Sequence, residues 1–277
     1  MLFEGTPKPG AFEINFATET DKELLVDTTG SEVECRNFLI SSPREIQFEP
    51  GKRYKIGFDY EVHKLKSDAT RLYYFLEVTN DDSSQRAKRV WAPKEGESDR
   101  QEFISTLPDS DGYRLCIGIA NGGAITIKNL KIEEIPPPKL DKGFLYQGAM
   151  ENDERLRFNY EGKIVNGGFL MNTPSKQWKP YFSTSPQELS LLPGHTYRIS
   201  YSYSAENAEA DAFMRHTCFT TDGKTLYTQR WAINPGQSDF KEIQLEITEP
   251  GSSFTIGSYG KSTVRIEDFT IEDLGGQ

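Results

Sequence analysis

The sequence predicts an all-β chain built as two tandem antiparallel β-sandwich domains, on three observations. Whole blocks of sequence recur in the same order, apolar residues alternate with a period of two, and turn signals separate the alternating runs. "EPGKRYKIGFDYEV" (49–62) and "LPGHTYRISYSYSA" (192–205) are almost the same line, 143 residues apart (193 − 50 = 143). At that offset "LFEG" (2–5) also matches "LYQG" (145–148). Trp91-Ala92 matches Trp231-Ala232 at offset 140, and "ITIKNLKIEEI" (125–135) echoes "VRIEDFTIEDL" (264–274) at 139.

The first block, residues 1–135, is read as one domain. Its signature strand "RYKIGFDYEV" turns Tyr54, Ile56, Phe58, Tyr60 and Val62 one way and polar residues the other. The preceding Pro-Gly presets a tight turn, so the chain enters this strand in a fixed register. "TRLYYFLEV" (70–78) follows, with Arg71, Tyr73 and Phe75 on one face, and the turns "NDDSS" and "PDSDG" punctuate what comes next. "ANGGAITI" (120–127) is a hairpin turn; it lacks the following helix that a phosphate cradle needs. Pro136–Pro138 then form a linker, because consecutive prolines forbid helix and remove ladder donors. Residues 139–277 repeat the scheme, with "AFMRHTCF", "LYTQRWA", "EIQLEI", "FTIGSY" and "VRIEDFTI" as strands.

Composition narrows the function classes. The chain of 277 residues carries a formal charge of −10, with 32 Lys plus Arg against 42 Asp plus Glu. That excludes the clustered basic surface of a nucleic-acid binder. No run approaches the ~18 apolar residues of a membrane-spanning helix, and "MLFEGTPKPGAFEINF" has neither the basic nor the apolar region of a signal peptide. Cys35, Cys116 and Cys218 are too few for a disulfide framework; a Cys35–Cys116 bridge and buried free thiols both fit. His63, His195 and His216 have no metal-ligand spacing, and His63 is read as exposed at a strand end. No nucleophile elbow, zinc helix or phosphate loop occurs, so catalysis is not expected.

The block order, "PGKRYKIGFDY" with "ITIKNLKI" and "PGHTYRISYSY" with "VRIEDFTI", resembles that of jelly-roll carbohydrate-binding modules, galactose-binding-like sandwiches found in secreted glycoside hydrolases. The resemblance implies non-catalytic binding of a polysaccharide in an extracellular or cell-surface setting, the export signal lying outside this segment. It implies a monomer or one part of a larger multidomain chain in polysaccharide degradation. It further implies a structural calcium on the closing strand, where Glu267 and Asp268 would be ligands and the first copy has Lys128 and Asn129 instead. A pair of structural or protein-docking sandwiches is the alternative of a different class.

A sugar site needs an aromatic platform beside planar polar groups. In the second copy Tyr227, Gln229 and Trp231 share one face of a strand, with His216 on the strand before; in the first copy Arg89 and Trp91 share a face and Tyr73 is placed beside them. Met214 and His216 are read as the counterparts of Tyr73 and Phe75. Both tryptophans also fit inter-sheet packing, since core positions repeat as readily as sites. Trp178, in "NTPSKQWKPYFSTSP", has no counterpart and is read as an aromatic on a loop. The divergence between copies favours the second as the one that binds.

Overall fold

The computed structural model describes residues 1–30, 35–79, 81–108, 112–152, 154–159, 161–174 and 177–276. The chain divides into two compact units, Met1–Pro137 and Pro138–Gln277. The first contains β1 (Phe3–Gly5), β2 (Phe12–Ile14), β3 (Ala17–Glu19), β4 (Leu24–Asp27), β5 (Cys35–Ser41) and β6 (Arg53–Leu65). It continues with β7 (Arg71–Val78), β8 (Asp81–Trp91), β9 (Ser98–Thr106), β10 (Tyr113–Ala120) and β11 (Gly123–Ile135). The second contains β12 (Phe144–Tyr146), β13 (Leu156–Phe158), β14 (Lys163–Val165), β15 (Gly168–Thr173), β16 (Trp178–Thr184) and β17 (His195–Ala208). It closes with β18 (Phe213–Phe219), β19 (Thr225–Ala232), β20 (Ser238–Glu246), β21 (Ser253–Tyr259) and β22 (Ser262–Gly276).

Each unit is a sandwich of two antiparallel sheets with one topology. In the first, β3-β4-β11-β6-β9 with β1 beside β11 faces β2-β5-β10-β7-β8. In the second, β14-β15-β22-β17-β20 with β12 beside β22 faces β13-β16-β21-β18-β19. Among the described residues there is no helix, and so none long and apolar enough to cross a membrane. The alternation read in the signature strand is the core: Tyr54, Ile56, Phe58, Tyr60 and Val62 are buried in one unit, Tyr197, Ile199, Tyr201 and Tyr203 in the other. Each such side chain contributes about 1.5–3 kcal/mol by leaving water.

The repeated Pro-Gly line has a specific geometry. Gly51 and Gly194 take left-handed backbone (φ 75° and 81°), which an L side chain resists. Their amides donate to Leu107 O at 2.6 Å and Ile247 O at 2.7 Å. Three residues on, the Tyr54 hydroxyl accepts the Glu49 amide (2.8 Å) and the Tyr197 hydroxyl accepts the Leu192 amide (2.7 Å). Both tyrosines thus fill the core and satisfy the turn that leads into their strand.

One strand differs from its sequence reading. β7 is buried on both faces, so alternation carries no sign of which face is inward. Leu72 lies opposite Trp91 as Met214 lies opposite Trp231, giving an offset of 142 (214 − 72) and not 141. Leu72, Tyr74 and Leu76 therefore match Met214, His216 and Cys218 and face the core, while Tyr73 and Phe75 face outward. Of the expected "NDDSS" turn, Asp81–Ser84 begin β8 and Asn80 lies outside the described residues, as do 109–111 of "PDSDG". His63 is exposed. The 120–127 segment, expected to be a hairpin, turns at Asn121 and Gly122 but carries the chain from β10 in one sheet to β11 in the other, so the two strands do not pair.

Cys116 and Cys218 are buried thiols outside any disulfide. Cys35 pairs with Ala120, four residues along the strand from Cys116. That is about 13 Å at strand rise, beyond the reach of a disulfide. Burial pushes the Cys218 thiol up to about 11. Iodoacetamide at pH 8 is expected to leave Cys218 unmodified in the folded chain and to label it in urea; equal labelling in both, read by peptide mass, contradicts this burial.

Candidate functional site

In the first unit the three expected groove residues are not brought together. Trp91 is only 5% exposed and belongs to the core, where its Nε1 donates to the Tyr60 hydroxyl (3.3 Å) and its ring tilts against Tyr74 (6.0 Å). Tyr73 lies on the opposite face of the sheet, its hydroxyl donating to Asn37 Oδ1 at 2.8 Å. It is stacked on Phe75 at 5.9 Å. Arg89 shares the inward face with Trp91, since it pairs with Tyr74. The reason is the frame of β7 described above.

In the second unit the expected residues do gather, on the inward face at the sheet edge. Gln229 pairs with His216 and Trp231 with Met214. The Tyr227 hydroxyl donates to Gln229 Oε1 (2.8 Å), and the Trp231 ring sits 4.5 Å from His216 and 6.3 Å from Tyr203. Trp231 and Tyr227 pack against the core, and Lys241 stands 5.6 Å from the Trp231 ring. The group closes the edge of the sandwich.

His216 is 1% exposed and bonded through Nε2 to the Tyr201 hydroxyl. Burial, with the Lys241 charge adding to it, lowers its pKa to about 3. The folded state then binds this proton less readily than the unfolded chain, whose imidazole titrates near 6.5. Stability from His216 is complete above pH 6.5 and falls as the pH drops towards 3, by about 1 kcal/mol per unit. Between pH 7 and pH 4 the native chain is expected to lose more stability to urea than His216→Gln. Parallel losses would contradict the depressed pKa.

The outward face of this same five-stranded sheet is different in kind. Register places its side chains in rows across the strands. Trp178, Tyr259 and Phe213 form one row over β16, β21 and β18. Pro180, Gly257, Arg215 and Arg230 form the next, and Ser183, Thr255, Thr217 and Thr228 the third. Rows lie roughly 6.6 Å apart and strands about 4.8 Å, the scale of a sugar ring. Trp178, read as a loop residue, is the first residue of β16.

Gly257 makes the platform flat. A Cβ there would stand 2.6 Å from the Trp178 ring edge and would clash with Lys179 O. The indole lies across this gap, and the Arg215 guanidinium sits 3.9 Å from its centroid. Phe213 and Tyr259 stack at 5.1 Å and 16°, and Arg230 stands 5.7 Å from the Phe213 ring. These aromatics are half-buried, with part of each surface open to solvent. Aromatic faces meet the C–H faces of a sugar, while guanidinium and hydroxyl groups meet its oxygens.

The first unit keeps the glycine and lacks the platform. Gly118 matches Gly257 (257 − 118 = 139), and the Tyr73 ring crosses it. The row that would hold the aromatics is Cys35, Ala120 and Arg71. Below it Tyr73 and Phe75 are 8% and 5% exposed, and Glu77 binds Arg114 at 2.5 Å.

Tyr259, Phe213, Arg215 and Arg230 were missed by sequence reasoning, although the Phe-Arg-Thr-Phe alternation of 213–219 could have marked a polar-aromatic outer face. Glu267 and Asp268, expected as calcium ligands, are not gathered with a third metal-capable side chain among the described residues. The Glu267 carboxylate accepts Arg265 Nε at 2.7 Å, so a guanidinium occupies its approach. Asp268 takes φ 53° at a bulge of β22, where Asn129 takes the same angle in β11. Short Asn and Asp side chains tolerate that conformation, which accounts for the residue. Among the described residues no group of three metal-capable side chains gathers.

No protein-family model and no curated protein matches the chain. Among solved structures 138 chains match. The N-terminal tandem CBM22-1–CBM22-2 domain of Paenibacillus barcinonensis Xyn10C is similar over 98% of this chain and 93% of its own, at 12% identity and TM-score 0.39. The CBM22-1 xylan-binding domain of the same protein is similar over 48% of this chain and 96% of its own, at 12% and 0.27. A chain of Broad Bean Stain Virus is similar over 95% of this chain and 93% of its own, at 7% and 0.32. Tandem carbohydrate-binding modules thus stand among the similar structures beside a virus chain, and what this chain binds is argued from its own residues.

Proposed function

We propose that the second unit binds carbohydrate, without catalysis, on the outward face of its five-stranded sheet. The observation that carries this reading is the row Trp178, Tyr259 and Phe213 laid beside Arg215 and a row of hydroxyls. Solvent-facing aromatics set at strand spacing suit a polysaccharide lying across the strands, each ring offered a flat face and lateral donors. The three rows contain no Asp or Glu, which supports binding without the carboxylate pair a glycosidase uses. The first unit, without the aromatic row, supplies scaffold. The name "xylan-binding" on one similar structure makes a plant cell-wall polysaccharide a natural first probe. An extracellular setting within a larger glycan-degrading protein accords with such binding.

The test is native affinity electrophoresis of the intact chain in gels containing single soluble polysaccharides, neutral and acidic. Retardation by at least one is the expected result. Unchanged mobility on every gel, with the protein folded by circular dichroism, removes this reading in favour of a protein-docking pair of sandwiches.

A further inference from the structure

Resting on that reading, we infer that the glycan taken by this face is acidic, a polysaccharide bearing uronate carboxylates. Arg215 and Arg230 are direct cross-strand neighbours, and like charges opposite one another disfavour a sheet. The chain has carboxylates to spare, with 42 acidic residues and a charge of −10. Elsewhere its arginines use them: Arg100 meets Asp59, Arg198 meets Glu272, and Arg265 meets Glu267, all within 3.0 Å. On this face the pattern stops. Among the described residues neither Arg215 nor Arg230 has a carboxylate partner, and both lie against aromatic rings instead. Two neighbouring guanidiniums with no carboxylate of their own suit an anion, and a planar carboxylate matches the guanidinium fork with two parallel hydrogen bonds. A neutral sugar would use the aromatic row and leave the arginine pair uncompensated.

The test compares each acidic polymer with its own carboxyl-reduced form, glucuronoxylan and polygalacturonate being the probes, by calorimetry on the intact chain. The expected result is roughly tenfold or greater weakening on carboxyl reduction of at least one polymer. The preference should also shrink between 20 and 300 mM NaCl. Arg230→Gln, on an exposed edge position, should erase most of the difference between the two forms. Equal binding of native and reduced polymers, or binding of neutral glycans alone, overturns the acidic assignment and leaves carbohydrate binding standing. Dextran sulfate binding as tightly as the uronates also overturns it, as unselective attraction to polyanions. No binding of any polymer removes both readings together.

Discussion

Trp91→Ala is expected to destabilise the first unit by about 3–5 kcal/mol, the usual range for removing a buried Trp. The indole is enclosed by Tyr60 and Tyr74, and Tyr74 is itself stacked on Phe103 at 4.1 Å. Removing it leaves a void that these rigid rings cannot collapse into, because the strands that carry Tyr60 and Tyr74 are paired on both sides. It also strips a donor from the Tyr60 hydroxyl, whose proton is held by Glu97 and whose pKa burial raises. Amide exchange in β6 and β7 reads the effect, with protection falling on the order of a hundredfold or more. Glycan retardation should be untouched. If Trp91→Ala keeps full protection and loses binding, the first unit holds the site after all.

Trp178→Ala should do the reverse, abolishing retardation with little loss of stability. A half-exposed indole at the centre of a binding face falls in the class that costs 2 kcal/mol or more on truncation, about thirtyfold in affinity. Here the loss should be larger than for either neighbour. Trp178 alone reaches from the aromatic row over Gly257 to Arg215, so its removal also frees the guanidinium it positions. Gly257→Ala tests the same geometry without touching an atom that meets sugar. The added methyl meets both the Trp178 ring and Lys179 O, so the indole and the β16–β21 pairing must shift together, and binding should fall along with some stability while the ring is still present. Trp231→Ala is the contrast, expected to lower stability and spare affinity. Loss of binding in Trp231→Ala alone would return the site to the inward edge.

Much of the architecture was legible because it rests on local rules. Pro-Gly before an alternating strand fixes a turn and a register together, and Tyr54 and Tyr197 then bury whatever else changes. The site depended on what alternation cannot supply. β7 is apolar on both faces, so its inward residues could be assigned only by pairing with β8, and the frame shifted by one. The row Trp178, Tyr259 and Phe213 joins residues from three strands far apart in sequence, through two ladders whose register no single strand encodes. Trp178 stood out for lacking a counterpart, and it opens a strand on the outward aromatic row. What hid that place was the polar, proline-bearing stretch around it, which reads as a loop and includes a strand. Asp268 and Asn129 share a left-handed backbone angle at equivalent bulges, a role that alternation does not reveal.

The glycine at 118 separates scaffold from use. Both units leave the same bare spot on the central strand, yet only one fills it with an indole; the other lays a tyrosine across it. A side-chain-free crossing found in both units belongs to the shared fold and does not by itself make an aromatic row. The molecule therefore offers a recipient for its own site. Placing Trp, Tyr and Phe at Cys35, Ala120 and Arg71, with Arg at Tyr73, would ask whether a ready floor is enough to transplant recognition into the silent twin.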